Sequence, residues 1–373
     1  MNELRRAFPA TAARLVDTSG SAPRSANEQW APLIISRATI EAEVERLAEL
    51  PRPANGRREA LIVHPSARPD TPGLAPGIQV RLSVLLPGES TAPFRHNATE
   101  VNFCIQGSGH TRIGGRRIAF ARYDVWNHPS WLPYTHYNDG DALQVRLTYS
   151  NTPVLQHMDI YIAEEGANAL AAVPAAGHAP HADDARRRNP FGVFPISDDG
   201  GLLMPYEVLI NPERVRSVPM LFPWRRVKPE LDKLEALGQD YIGRRLYMLY
   251  NPATGRTNGI TPSFFATMTI RPPRIVDRPH RHVSAAINYY FHGSGHSVVA
   301  GNRYEWQAGD LMLSAPGWAV HNHASYEDQV YELTVQDQPL NIYMESLLWQ
   351  EDLKGPVSVL GSEQGFSTNR AAG

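Results

Sequence analysis

The segment Gly107-Ser108-Gly109-His110 returns as Gly293-Ser294-Gly295-His296, an interval of 293 − 107 = 186 residues. The same interval carries His96 to His282, Gly115 to Gly301 and Asp124 to Asp310. Past Asp310 it becomes 187, with Pro129-Ser130-Trp131 falling on Pro316-Gly317-Trp318 and His136 on His323, so one residue was inserted there. An interval held over about forty residues marks one domain in two copies. The copies differ where chemistry would sit: Phe94-Arg95-His96 stands against His280-Arg281-His282, and Tyr134 against His321.

A chain of 373 residues, 42% hydrophobic, can bury two cores of roughly 100 to 150 residues each plus connecting arms. Lys+Arg 36 against Asp+Glu 38 leaves a formal charge of −2, which gives no field to hold nucleic acid or an anionic membrane. A neutral or small-molecule partner is expected. The single cysteine, Cys104, cannot pair within the chain, and no apolar leader follows a basic start, so the sequence reads as cytoplasmic. No run of about 18 apolar residues is present to span a membrane.

Ile40, Val44, Leu47 and Leu50 follow helical spacing and predict a short helix ended by Pro51. Beyond Gly56 the pattern changes to short β-branched and aromatic runs such as Ile78–Leu86, Glu100–Ile105, Leu143–Tyr149 and Met158–Ile162, separated by Pro-Gly, Gly-Ser-Gly and Gly-Gly turns. Residues 166–181 are small and proline-rich and read as a linker or lid, and Glu230–Leu237 as a second helix. The expected class is all-β, with two tandem barrels and short helical arms. The divisions are an N-terminal arm and helix (1–56), a first barrel (57–164), a linker and helical connection (165–245), a second barrel (246–350) and a tail (351–373).

His280-x-His282, followed about forty residues later by His321-x-His323, is the strongest site signal. Alternate strand residues share a face, so His280 and His282 converge on a barrel interior that His321 can enter from a neighbouring strand. Three imidazoles leave coordination positions open for a substrate and O2 or water.

These residues resemble the cupin superfamily, whose double-stranded β-helix, or jelly-roll, barrels carry the motif G-x5-H-x-H-x3-E-x6-G. Gly88, Phe94, His96, Glu100 and Gly107 match it with only the leading His replaced, and Pro129 and Asn138 match the second motif with Tyr134 in the His position. Phe222-Pro223-Trp224, Asn251-Pro252-Ala253-Thr254-Gly255, Arg278-Pro279-His280-Arg281-His282 and Trp318-Ala319-Val320-His321-Asn322-His323 narrow the resemblance. They are similar to the bicupin group of gentisate, salicylate and 1-hydroxy-2-naphthoate dioxygenases.

The resemblance implies Fe(II) on three histidines, a chelated aromatic substrate and ring cleavage by O2, with His280, His282 and His321 as ligands. His323 would lie outside the ligand set and hydrogen-bond the substrate or carry a proton; the reverse assignment of His321 and His323 is the alternative. Ala286 stands where many cupins place a metal-binding glutamate. The family's iron sits in the first barrel, but Phe94 and Tyr134 remove two imidazoles there, so that site is expected to be empty, although His96, Glu100 and His136 remain. Asn288 stands where the family commonly grips a carboxylate with arginine, which leaves Arg271, Arg274 and Arg303 as substitutes and Trp318 as a wall for a flat ring. A homo-oligomer such as a tetramer is implied. The competing classes are a non-oxidative metal lyase, isomerase or hydrolase, and a non-catalytic ligand-binding bicupin.

Overall fold

The computed structural model describes residues 17, 19–20, 29–171, 190–205, 218–238 and 244–359. Most of the stretch read as linker or lid, Arg186-Arg187-Arg188 and the chain from 360 onward lie outside them.

Each sequence copy becomes two facing antiparallel sheets. The first places Arg58–Ile62, Gln79–Leu85, Gln144–Ser150, Glu100–Gln106 and Val125–His128 side by side, opposite Phe94–His96, Tyr134–Tyr137, Ser108–Ile113 and Arg116–Ala121. The second repeats this with Leu246–Met248, Phe265–Arg271, Val330–Gln336, Ala285–His292 and Leu311–Pro316 in one sheet. His321–Ser325, Ser294–Val299 and Asn302–Gln307 form another sheet, and Arg281–His282 pairs with Leu348–Gln350. The chain is thus the expected tandem of β-barrels.

Strand alternation decides where the aromatic residues go. Tyr290 points into the second barrel and stacks on Trp306 at 3.8 Å. Its neighbours Tyr289 and Phe291 point out and meet Phe103 of the first barrel at 5.7 and 5.8 Å. One apolar core therefore runs across both barrels, from Val80 and Tyr149 to Phe264 and Leu333.

The arms are exchanged between the copies. Leu33–Ile35 pairs with Leu311–Leu313 of the second barrel, while the helix that follows, Arg37–Glu49, packs on the first barrel's Arg58–Ile62 and Gln79–Leu85. Its apolar face is Ile40, Val44 and Leu47, and Ser36 caps it by accepting from Thr39 N. The connector does the converse: Leu221–Phe222 pairs with Val125–Trp126 of the first barrel, and helix Trp224–Ala236 packs on Phe265–Arg271 and Leu246–Met248 of the second. This helix starts six residues before the Glu230 predicted, because Asp124 receives the Trp224 N–H at 2.7 Å and the helix continues through Pro229.

Met158–Ile162 is not a strand. It follows a helix, Thr152–His157, and Asp159 turns the chain at φ +57°, so the apparent alternation of Met158, Ile160 and Ile162 leaves all three exposed.

Candidate metal centre

His280, His282 and His321 come together, all buried, with one nitrogen of each within 4.8 Å of the others. Their backbones explain this. His280 and His321 face each other across an isolated antiparallel bridge, exchanging N–H···O bonds of 3.1 and 2.9 Å. His282 lies two residues along, opposite Trp349.

Hydrogen bonds set the tautomers. His280 Nδ1 meets Arg278 O at 3.1 Å, His282 Nδ1 meets Ser284 O at 2.8 Å, and His321 Nδ1 meets Ala319 O at 2.9 Å. A carbonyl oxygen can only accept, so each Nδ1 carries the hydrogen and each Nε2 keeps its lone pair. Burial, then the Arg244 guanidinium and the neighbouring imidazoles, hold His280 well below the usual histidine range. Burial pushes His321 down to about 4. Three neutral imidazoles with lone pairs on one side form a donor set that fits a divalent transition metal. Arg244 Nη2 lies 3.0 Å from His280 Nε2 and 3.1 Å from its Nδ1, about equally near both ring nitrogens, so the Arg278 carbonyl is what distinguishes them.

The trio opens into a cavity of about 1050 Å³. His323, Asn288, Ser314, Thr334 and Gln336 line it with Arg244 and Trp349. Trp349 stacks on His282 at 4.8 Å and on His280 at 5.4 Å. His282 Nδ1 also meets Ser284 Oγ at 2.9 Å, a hydroxyl that donates to Gln336 Oε1, whereas the Nδ1 of His323 meets Ser297 Oγ at 2.7 Å in place of a backbone carbonyl.

The structure divides the residues expected to bind substrate: Arg271 and Asn288 line the cavity, and Trp318, Arg274 and Arg303 do not. Trp318 is not part of the cavity wall; its ring packs under the Arg281 guanidinium at 4.5 Å, on a turn that Gly317 makes at φ +111°. Arg274 is 75% exposed in a turn and pairs with Glu327. Arg303 shares the solvent face of its strand with Glu305 and pairs with it at 2.6 Å, because alternation sends Tyr304 and Trp306 inward. Arg271 lines the cavity, but its guanidinium is bound to Glu332 at 3.2 Å and Asp277 at 3.0 Å. Asn288 lines the cavity too, with its amide tied to Thr334 at 2.9 Å and to Ser314. Sequence reasoning missed Arg244 and Trp349, which reach the site from outside the two His-x-His segments. Arg244 falls 186 residues after Arg58, so the repeat held the one available signal.

In the first barrel His96, Glu100 and His128 also come within 4.8 Å. His128 takes the place expected for His136, whose Nδ1 is occupied by Thr111 Oγ1 at 2.8 Å. One Glu100 oxygen holds Arg81 at 2.6 Å and His96 Nε2 at 3.1 Å, so a guanidinium already balances the carboxylate. His96 Nδ1 has no hydrogen-bond partner among the described residues, and Phe94 and Tyr134 pack edge-on at 5.8 Å. Glu100 Oε2 and His128 Nδ1 likewise have no hydrogen-bond partner among the described residues, so this cluster differs from the trio in charge: it offers a carboxylate that Arg81 already balances.

A cupin-domain family model matches residues 81–150, within the first barrel. A 5-aminosalicylate 1,2-dioxygenase from Comamonas sp is 25% identical over 69% of this chain, and the match spans 66% of that protein's length, just under two thirds. A 5-nitrosalicylic acid 1,2-dioxygenase from Bradyrhizobium sp is 30% identical over 41% of this chain and 77% of its own. The chain belongs to the bicupin aromatic-ring dioxygenase family. Within that family's fold, the solved salicylate 1,2-dioxygenase from Pseudaminobacter salicylatoxidans superposes with a TM-score of 0.69 at 19% identity, over 94% of this chain and 93% of that one. The family model covers the copy in which Phe94 and Tyr134 replace two of the imidazoles, while the histidine trio lies in the other copy.

Proposed function

We propose that this chain is an Fe(II)-dependent dioxygenase that opens a hydroxylated or amino-substituted aromatic ring with O2, and that the reaction takes place in the second barrel. The observation that carries this reading is the trio of Nε2 lone pairs of His280, His282 and His321 facing a cavity large enough for a substituted ring. The family relatives support the substrate class, being named for 5-aminosalicylate and 5-nitrosalicylic acid.

Iron held on these imidazoles would supply open positions where O2 and a ring's oxygen substituents meet, with its charge left uncancelled by ligand carboxylates. The chain's own residues do the rest. Trp349 gives a flat wall for a ring, and Arg244 brings a guanidinium into the cavity beside His280, where it would pair with a ring carboxylate in place of the arginine that Asn288 replaces. His323 would hydrogen-bond the substrate's oxygen or carry its proton. Ala286, beside the trio, adds no carboxylate. The first barrel's cluster holds no metal in this reading, because Arg81 already supplies the positive charge at Glu100. A cytoplasmic homo-oligomer suits the single cysteine and the family resemblance. Among the described residues no helix is long and apolar enough to cross a membrane.

The test is anaerobic iron reconstitution followed by oxygen-electrode assays on hydroxybenzoates, aminohydroxybenzoates, hydroxynaphthoates and carboxylate-free catechols and hydroquinones. Oxygen uptake matched to ring cleavage is expected, with loss of both iron and turnover in His280→Ala. Arg244→Gln should raise KM for carboxylated rings by about tenfold or more and leave carboxylate-free rings unaffected. Stoichiometric metal with turnover that consumes no O2 would replace this reading with a lyase, isomerase or hydrolase.

A further inference from the structure

The hydrogen bonds around His323 run in the opposite sense to those of the trio. Ser297 lies directly across the strand pair from His323, which brings Ser297 Oγ to 2.7 Å from His323 Nδ1. Behind Ser297, Trp306 Nε1–H donates to the same oxygen at 3.0 Å. An indole N–H has no acceptor function, so Ser297 must accept there. The Tyr290 phenol, stacked on Trp306, donates to Met312 Sδ at 3.9 Å, a weak thioether acceptor. With Trp306 donating, Ser297 has one hydrogen to give, and the other side-chain hydrogen-bond partner of its oxygen is His323 Nδ1, so that hydrogen is directed there. That leaves the His323 hydrogen on Nε2.

We propose that Ser297 and Trp306 are positioning residues that fix His323 as the Nε2–H tautomer, so that it meets a bound substrate as a hydrogen-bond donor. This rests on the second barrel being the reaction site. One cavity then holds two kinds of imidazole: three whose Nδ1–H is spent on a carbonyl, presenting lone pairs for a cation, and one whose Nδ1 is capped by a hydroxyl hydrogen, presenting N–H to a ligand. The arrangement also separates His321 from His323 as the candidate ligand on chemical grounds, which sequence spacing left open.

The first barrel provides an internal comparison. Thr111 and His136 keep the hydroxyl–imidazole pair at 2.8 Å, but the residue 186 positions before Trp306 is Phe120, which has no N–H. The donor that sets the direction of the chain is present only in the copy with the histidine trio. Both copies have glycine at the facing position, Gly109 and Gly295, and in the second the indole packs into the space this leaves: a Cβ on Gly295 would lie 2.5 Å from the Trp306 ring and 2.0 Å from Ala324 O.

The experiment is two-bond ¹H–¹⁵N correlation spectroscopy of the full chain labelled at histidine, metal-free and loaded with Zn(II) as a diamagnetic probe, with the His323 signals assigned by their loss in His323→Gln. The wild type is expected to show His323 protonated on Nε2 alone. Ser297→Ala and Trp306→Phe should move it to a mixture or to Nδ1–H, and Ser297→Thr should restore the wild-type pattern. In the iron-reconstituted protein kcat should fall about tenfold or more in Ser297→Ala and Trp306→Phe with KM nearly unchanged, and recover in Ser297→Thr. The Zn-bound signals of His280, His282 and His321 report in the same spectrum whether each variant keeps an intact site; if Ser297→Ala loses them, Trp306→Phe decides. His323 found as Nδ1–H in the wild type, or unmoved by both substitutions, overturns the proposal. A wild type with the Nε2–H tautomer that consumes no O2 with any ring overturns the proposed reaction and leaves the tautomer assignment standing.

Discussion

Asp337 shows how one buried atom distinguishes two copies of a domain. It follows the strand Val330–Gln336, accepts Ala285 N at 2.8 Å, and lies so close to Gly77 of the first barrel that a Cβ there would meet its Oδ2 at 3.0 Å. Asn151, which follows the matching strand Gln144–Ser150 of the first copy, accepts Thr99 N at 2.9 Å and donates to Ser263 at 2.9 Å. Burial pushes the Asp337 carboxyl up to about 6, against the pull of backbone N–H groups. Between its ordinary pKa near 3.8 and this value the folded chain keeps a proton that the unfolded chain has released. The carboxyl's contribution to stability is therefore full below pH about 4 and lost as pH rises through about 6. Asp337→Asn should remove that loss, gaining on the order of 2 kcal/mol at pH 7.5 and nothing at pH 4 in urea unfolding of the metal-free protein. A variant less stable at pH 7.5 would mean that the ionised form is the favourable one. At this scale the sequence was legible for the trio, because His-x-His on a strand obliges both rings to one face. It was silent on Trp349 and Arg244, whose approach depends on pairings between distant segments, and it misled for Trp318, whose nearness in sequence to His321 is undone by the turn at Gly317.

Among the elements, the repeated aspartates explain the repeated arms. Asp310 of the second barrel accepts Arg37 N at 2.7 Å and Gln307 N at 2.9 Å; Asp124 of the first accepts Trp224 N at 2.7 Å and Ala121 N at 2.9 Å. Each carboxylate ties the start of an arm helix to the barrel opposite the one on which that helix packs. Asp310→Ala and Asp124→Ala should each cost roughly 1 to 2 kcal/mol, read from unfolding midpoints, because each strands two backbone N–H groups near a helix start. A change within about 0.3 kcal/mol would show that the arms hold by apolar packing alone. Sequence periodicity gave the first helix, with Ile40, Val44 and Leu47 inward, since an amphipathic face is local information. The second helix began earlier than its own residues suggested, because its cap comes from Asp124, 100 residues away. Met158–Ile162 failed for the same kind of reason: a two-residue period in three apolar side chains says nothing about whether a partner strand is there to pair.

For the whole molecule, duplication separates two roles that a single barrel would have to combine. The first copy keeps the fold, with its Glu100 site balanced by Arg81, and contributes Phe103 and Tyr123 to the shared core. The second copy keeps three imidazoles whose lone pairs converge. The tandem architecture was legible because an interval of 186 residues is a pattern in the sequence itself, whereas the exchange of arms between barrels was not, since each arm helix is equally amphipathic wherever it packs. The most direct measurement is anomalous X-ray scattering at the iron edge from crystals grown after anaerobic reconstitution. One peak per chain, bonded by His280, His282 and His321 with His323 left unbound, is the result expected. A peak at His96, Glu100 and His128 with the second barrel vacant, or one bonded by His323 in place of His321, would contradict the account.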